Sequence, residues 1–309
     1  MNTPIQTESA TGALFGNLFA AYDDASFKFS VDLFERRFRD GGFDVSWFKD
    51  KKCLDAGCGG GRYSIAMAHL GASAVDGIDL SELGIADAKR RANDLGAAHV
   101  NFQVGSVAAL PYADSTFDCV IASGVLMHTT DPVKVLSELC RVIKPGGILY
   151  MLVYATEGLR WPLVQMLRPI AQYIGFETID AAVAKAGMLA PRRRTYLDDL
   201  FVPCIDFYTW QCLEGMLKAN GLENATRWTR GRLDQEETLG TYVKDLSGFL
   251  EVFQAVPGDA ARTAAAICQS VGDHATRIAT DVSAGRLSEA DGRTQAIGQG
   301  HHRFTASKA

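Results

Sequence analysis

The chain has 309 residues, 47% of them hydrophobic and 22% charged, with a formal net charge of −5. That length buries a substantial core, as one large domain or a domain with an appendage, and the composition is that of a soluble globular protein. The acidic balance offers no basic face for nucleic acid, and no stretch is apolar for long enough to span a membrane.

The opening "MNTPIQTESATG" lacks the basic and apolar regions of a secretory leader, so a cytoplasmic protein is expected. The seven cysteines, at 53, 58, 119, 140, 204, 212 and 268, include no CxxC spacing and read as reduced core thiols. The six histidines form no HExxH pattern, and no built-in metal site is expected.

Taken in chain order, Phe27, Val31, Phe34 and Phe38 fall at spacings of 4, 3 and 4, one face of an amphipathic helix. That helix belongs to an N-terminal lid over residues 1–44; its aromatic face reads as packing, with a substrate box as the alternative. Residues 45–155 alternate strand-like and helix-like segments. "KCLDAG" is a strand ending in glycines, followed by a helix to Leu70. "SAVDGIDLS" is a second strand, and "ELGIADAKRRANDLG" a helix capped by Ser81 and stopped by Gly96. "VNFQVG" and "FDCVIASGV" are the third and fourth strands. Asp131-Pro132 opens the next helix, a capping residue followed by proline at the first helical position. "GILYMLVYA" is apolar throughout, as a strand covered on both faces would be.

Strands alternating with helices predict a doubly wound, mostly parallel α/β sheet with right-handed crossovers. Residues 156–207 form a helical insertion with apolar positions Leu159, Leu163, Leu167, Ile170 and Ile174. Residues 208–247 are expected to finish the core sheet, and 248–309 to form a helical extension whose face is Ile267, Val271, His274, Ile278 and Val282. That face predicts either a second subunit packed on it, making a homo-oligomer, or packing within its own domain.

The loop Asp55-Ala56-Gly57-Cys58-Gly59-Gly60-Gly61 places four glycines in five positions between the first strand and the first helix. In an open α/β sheet this is where a ligand lies against bare backbone at a helix N-terminus. A dinucleotide fingerprint needs a third glycine three residues after the second, and those positions hold Arg62 or Ser64. The run instead reads D-x-G-x-G-x-G.

With "DGIDLS", "VGSVAALPYADSTFDCVIASGVLMH" and "ELCRVIKPGGILYM" following in order, the stretch from Lys51 to Tyr154 resembles the class I S-adenosylmethionine (SAM) dependent methyltransferases. "FYTWQCLEGMLKANGL" continues the likeness weakly. The resemblance implies a Rossmann-like seven-stranded fold, SAM as cofactor and a small-molecule acceptor. It implies backbone contact at Gly57, Gly59 and Gly61, and Asp55 at the methionine end. Asp79, ending the second strand, suits the ribose hydroxyls, and Leu80 the adenine. Where the family often has "GDA" this chain reads Gly105-Ser106-Val107, so adenine recognition falls to Ser106 and the Val107 backbone. Ser123, ending the fourth strand, joins the cofactor set.

For the chemistry, His128 after the fourth strand is a candidate base, or else a rim histidine bonded to backbone. Tyr22 is expected to close over the cofactor or to pack in the core. Asp198, Asp199 and Asp206 suit a cationic substrate or solvated acids, and Arg192 to Arg194 solvated surface or an anion clamp. The expected function is methyl transfer to a small molecule. The alternatives are attack on another sulfonium carbon, releasing methylthioadenosine, and SAM binding without catalysis.

Overall fold

The apolar runs form strands and the capped stretches between them form helices in a computed structural model that describes residues 4–188, 190–228 and 239–309. Residues 229–238, within the segment expected to finish the core sheet, lie outside the described residues. The chain divides into two units, Met1–Tyr154 with Pro203–Gly231 and His301–Ala309, and Ala155–Val202 with Arg232–Gly300.

The first unit is built on a seven-stranded sheet. Its strands are β1 (Lys52–Ala56), β2 (Ala74–Asp79), β3 (Asn101–Val104), β4 (Phe117–Ser123), β5 (Ile143–Tyr154), β6 (Leu222–Arg227) and β7 (His301–Lys308), in the order β3-β2-β1-β4-β5-β7-β6. The first five run parallel, and β7 runs antiparallel to both β5 and β6. Strand order reverses between β1 and β4, so the crevice beyond their carboxyl ends is the place for a ligand.

Helices α1 (Pro4–Ala20), α2 (Asp24–Asp40), α3 (Arg62–His69), α4 (Glu82–Asp94), α5 (Pro132–Val142) and α9 (Trp210–Ala219) complete this unit. Their starts follow the expected chemistry. Ser81 Oγ accepts the Gly84 N–H at 3.0 Å, and Asp131 accepts that of Lys134 at 3.0 Å. On α2, Phe27, Val31, Phe34 and Phe38 are all buried. Phe38 stacks on Phe34 at 4.3 Å and lies 4.7 Å from the Tyr150 ring of β5, so the face is core packing. Burial of each such ring contributes roughly 1.5–3 kcal/mol.

The second unit is helical: α6 (Arg160–Ile174), α7 (Phe176–Lys185), α8 (Ala190–Phe201), α10 (Leu239–Gln254), α11 (Asp259–Ser283) and α12 (Glu289–Ala296). Two expected faces are rotated. On α6 the buried residues are Trp161, Leu163, Val164, Leu167 and Ala171, while Ile170 and Ile174 are only half-buried. On α11 they are Ala261, Ala264, Cys268, Ala275 and Ile278, and His274 faces out. The cause is the alternating 3 and 4 spacing of small residues, which lets α11 pack closely on α10.

One charge expectation is corrected within this unit, that for Asp198 and Asp199. Arg193 grips Asp180 through two bonds of 2.6 and 2.5 Å, and Arg192 lies 3.7 Å from Asp245. Asp198 and Asp199 are buried, and Asp199 is paired with Arg160 at 2.5 Å. Asp198 and Asp199 are not solvated acids, because the packed helices turn them inward, whereas the Arg192 and Arg193 side chains stay 39% and 34% exposed. No helix among the described residues is long and apolar enough to cross a membrane.

Candidate functional site

Gly57, Gly59 and Gly61 sit at φ of +75°, +53° and +81°, the left-handed region that glycine adopts without cost. The loop is drawn onto β2, since the Gly57 and Cys58 N–H groups both donate to the Ile78 carbonyl, at 2.8 and 3.0 Å. Gly61 caps α3. A β-carbon on Gly57 would come within 2.5 Å of Val125 Cγ2, and one on Gly61 within 2.8 Å of the Phe102 ring. The glycines therefore answer to protein neighbours as well as to close approach of a ligand.

Both expected carboxylates border this loop. Asp79 accepts the Gly59 N–H on one oxygen at 2.8 Å and the Ser81 N–H on the other at 2.9 Å. Burial raises its carboxyl, opposed by those amides. Asp55 accepts both the N–H and the hydroxyl of Ser64, at 2.9 and 2.7 Å. Burial raises Asp55 to about 6, against the pull of the Ser64 bonds. Leu80 is half-buried, Val107 is buried, and Ser106 Oγ accepts the Ala108 N–H at 3.2 Å.

Helix α1 lies across these residues; the sequence reading expected an N-terminal lid but did not single out Gly12, Phe15, Gly16 or Phe19. Its Gly12 and Gly16 face Leu80 and Ser81, and a β-carbon at Gly16 would run into Ser81 Oγ. Its Phe19 ring lies over Gly59, 3.0 Å from where a β-carbon would be. Phe15, one turn earlier, meets His128 at 5.3 Å between ring centroids. Tyr22 is buried 5.9 Å from Phe19, so His128 and Tyr22 stand at opposite ends of an aromatic row. The available signal was the pairing of Gly12 and Gly16 with Phe15 and Phe19, each four residues apart. Gly16→Leu is expected to lift α1 at a cost of about 1–3 kcal/mol from overpacking. Limited proteolysis should then cut within residues 4–20 much faster than in the wild type; an unchanged rate would mean that α1 is held elsewhere.

His128 ends a short 3-10 turn (Leu126–His128) after β4. Its Nδ1 lies 2.9 Å from the Cys204 carbonyl, which can only accept, so Nδ1 carries the proton and Nε2 is the basic nitrogen of the neutral ring. Tyr154 packs edge-on against it at 5.4 Å. The Asp206 N–H donates to the Met127 carbonyl at 2.9 Å, and burial raises the Asp206 carboxyl against the pull of His128.

A second missed group lies behind the loop. Arg37 of α2 donates from Nη1 to the Tyr63 hydroxyl at 2.6 Å, and the nearby Ser123 side chain favours the ionised form of the same phenol. The Arg37 Nε is buried without a hydrogen-bond partner among the described residues. An arginine in "FERRFRD" carries no sequence mark of that placement. Among the described residues no group of three or more His, Cys, Asp or Glu could hold a metal ion.

Residues 48–166 match a family model described as a methyltransferase domain. A ubiquinone biosynthesis O-methyltransferase of Parvibaculum lavamentivorans is 36% identical over 104 residues, 34% of this chain and 40% of that protein. A demethylmenaquinone methyltransferase of Oceanobacillus iheyensis is 30% identical over 159 residues, 48% of this chain and 63% of that protein. The chain thus spans less than two thirds of the length of these curated relatives. The crystal structure of the cyclase SpnF superposes with a TM-score of 0.50 over 98% of this chain and 94% of that one, at 19% identity. That likeness shows the fold alone. With the strand order, the glycine loop and the match over residues 48–166, this part of the chain is similar to the class I SAM-dependent methyltransferases.

Proposed function

We propose that the protein transfers a methyl group from SAM to a small-molecule acceptor. The observation that carries this reading is the glycine loop, set between Asp55 and Asp79 at the point where strand order reverses. Two features of the chain fit the cofactor. The loop offers backbone without side chains, and the orphaned Arg37 Nε suits the carboxylate of a methionine end. SAM, when bound, supplies an electrophilic methyl carbon on a sulfonium.

The chain's own residues hold and align. Asp79 takes the ribose hydroxyls, and Asp55, through Ser64, orders the start of α3 at the methionine end. Leu80, Ser106 and Val107 border the adenine, and Ser123 faces the cofactor from β4. Phe15, Phe19 and Tyr22 exclude water, which matters because alignment and exclusion supply much of the rate. His128 takes the acceptor's proton at Nε2.

His128→Ala is expected to lower kcat by about 100-fold or more while leaving S-adenosylhomocysteine affinity within about twofold. Transfer from methyl-labelled SAM into metabolite extracts reads the first, and calorimetry the second. Equal kcat in both proteins would remove the base role. Methylthioadenosine as the main product would replace methyl transfer with attack on another sulfonium carbon.

The insertion 156–207, directly after β5, is the proposed selector of the acceptor. The seven cysteines form no disulfide among the described residues, which suits a reducing compartment and supports the cytoplasm as the place of action. Assembly into a homo-oligomer through α11 belongs to the same proposal, supported by half-buried Ile267, Val271 and Val282 on its flank.

A further inference from the structure

Tyr63 is the second residue of α3, just past the glycine loop, and its ring is buried. Its hydroxyl accepts a hydrogen bond from Arg37 Nη1 of α2 at 2.6 Å, and the Ser123 side chain at the end of β4 stands near it. Ser123, Leu152 and Arg303 lie level across β4, β5 and β7. The charged and titratable groups facing the phenol are Arg37 from α2, Arg62 from its own helix, Arg303 from β7 and Tyr150 from β5. Among the described residues these include no carboxylate. Tyr150 is itself pushed up to about 12 by burial, so it stays neutral. Among the described residues of this cluster, Tyr63 is thus the group able to answer the guanidinium of Arg37 with a negative charge at neutral pH.

We propose that Tyr63 is the counter-anion that Arg37 exchanges for the carboxylate of the cofactor, so that binding of the methionine end places a proton on Tyr63. The proposal rests on the SAM site described above, with Arg37 at the methionine end. Burial disfavours the phenolate, but the charges of Arg37, Arg62 and Arg303 draw the phenol from its ordinary 10 down to about 7. A carboxylate arriving on the same guanidinium repels the phenolate, as two anions in one buried site do. The phenolate oxygen then takes one proton from solvent and Arg37 keeps its charge. No other bond changes. Tyr63 is a positioning residue in this account: it acts on the cofactor through Arg37.

The sign follows from linkage. Below about pH 7 Tyr63 is already protonated, and this group adds no pH dependence to binding. Above it the free protein must take up a proton to bind, and affinity falls by up to about tenfold per pH unit.

Calorimetric titration of S-adenosylhomocysteine into the full chain, in two buffers of different ionisation enthalpy, reads the proton directly. At pH 8 the wild type should take up close to one proton more than Tyr63→Phe, which should bind at least as tightly. The ligand's own amino group titrates alike in both proteins, so the difference belongs to Tyr63. Methylthioadenosine, which lacks the carboxylate, should bind without that uptake.

A second readout needs no variant. Tyrosinate absorbance of the wild type at pH 8 should fall by one tyrosine's worth on saturation with S-adenosylhomocysteine. Equal proton uptake in both proteins, or an unchanged tyrosinate signal on saturation, overturns the proposal and leaves the cofactor site standing. Failure of the wild type to bind S-adenosylhomocysteine at all overturns both.

Discussion

Asp79→Ala is expected to weaken S-adenosylhomocysteine binding about a hundredfold. Hydrogen bonds to a charged group contribute roughly 1.5–3 kcal/mol, and a hundredfold change corresponds to about 2.7 kcal/mol. The same carboxylate also holds the Gly59 and Ser81 amides, at 2.8 and 2.9 Å, so alanine loosens the loop as well. An analogue lacking both ribose hydroxyls separates the two effects. If Asp79 binds the ribose, the wild type prefers the natural ligand strongly and Asp79→Ala scarcely distinguishes the pair. An undiminished preference in the variant would assign Asp79 to the loop alone. Because burial raises this carboxyl, the wild type's affinity should also begin to fall on acidification above the pH at which an ordinary aspartate protonates.

The largest stability effect is expected at Arg160 in the helical unit. Its guanidinium pairs with Asp199 at 2.5 Å and with Asp245, while its backbone N–H donates to the Tyr242 hydroxyl at 2.9 Å. The Asp199 side chain is only 2% exposed. Burial alone would favour discharge of the guanidinium, and the two carboxylates more than offset it. Arg160→Met leaves Asp199 as an uncompensated buried charge, which costs about 3–5 kcal/mol. A lower thermal midpoint should follow. Arg160→Met combined with Asp199→Leu should recover much of the loss, because a buried pair replaced by apolar groups is often neutral. A single variant as stable as the wild type would show that water reaches the pair.

Much of the first unit was legible because its signals are local. The strands and helices from Lys52 to Tyr154 follow from apolar runs, glycine stops and the caps Ser81 and Asp131, each set by residues within a few positions. The glycine loop was legible for the same reason, since Gly57, Gly59 and Gly61 meet their backbone requirement where they stand. The helix faces of the second unit were read less well. Counting large apolar residues overlooked Ala261, Ala264, Cys268 and Ala275, whose smallness is what buries them.

What the sequence determined by itself was therefore the order of elements from Lys52 to Tyr154, the parallel core and the place of the glycine loop. Tertiary structure decided what depends on partners far along the chain. His301–Lys308 becomes a strand because β5 and β6 supply its hydrogen bonds, and nothing in "HHRFTASK" announces that pairing. The tautomer of His128 is set by the carbonyl of Cys204, 76 residues later. Helix α1 lies over the loop because Gly16 admits Ser81. Arg37 faces Tyr63 because α2 and α3 pack together. Propensity and periodicity report how a residue suits its immediate neighbours, whereas a hydrogen-bond partner or a counter-charge is selected only when distant segments meet.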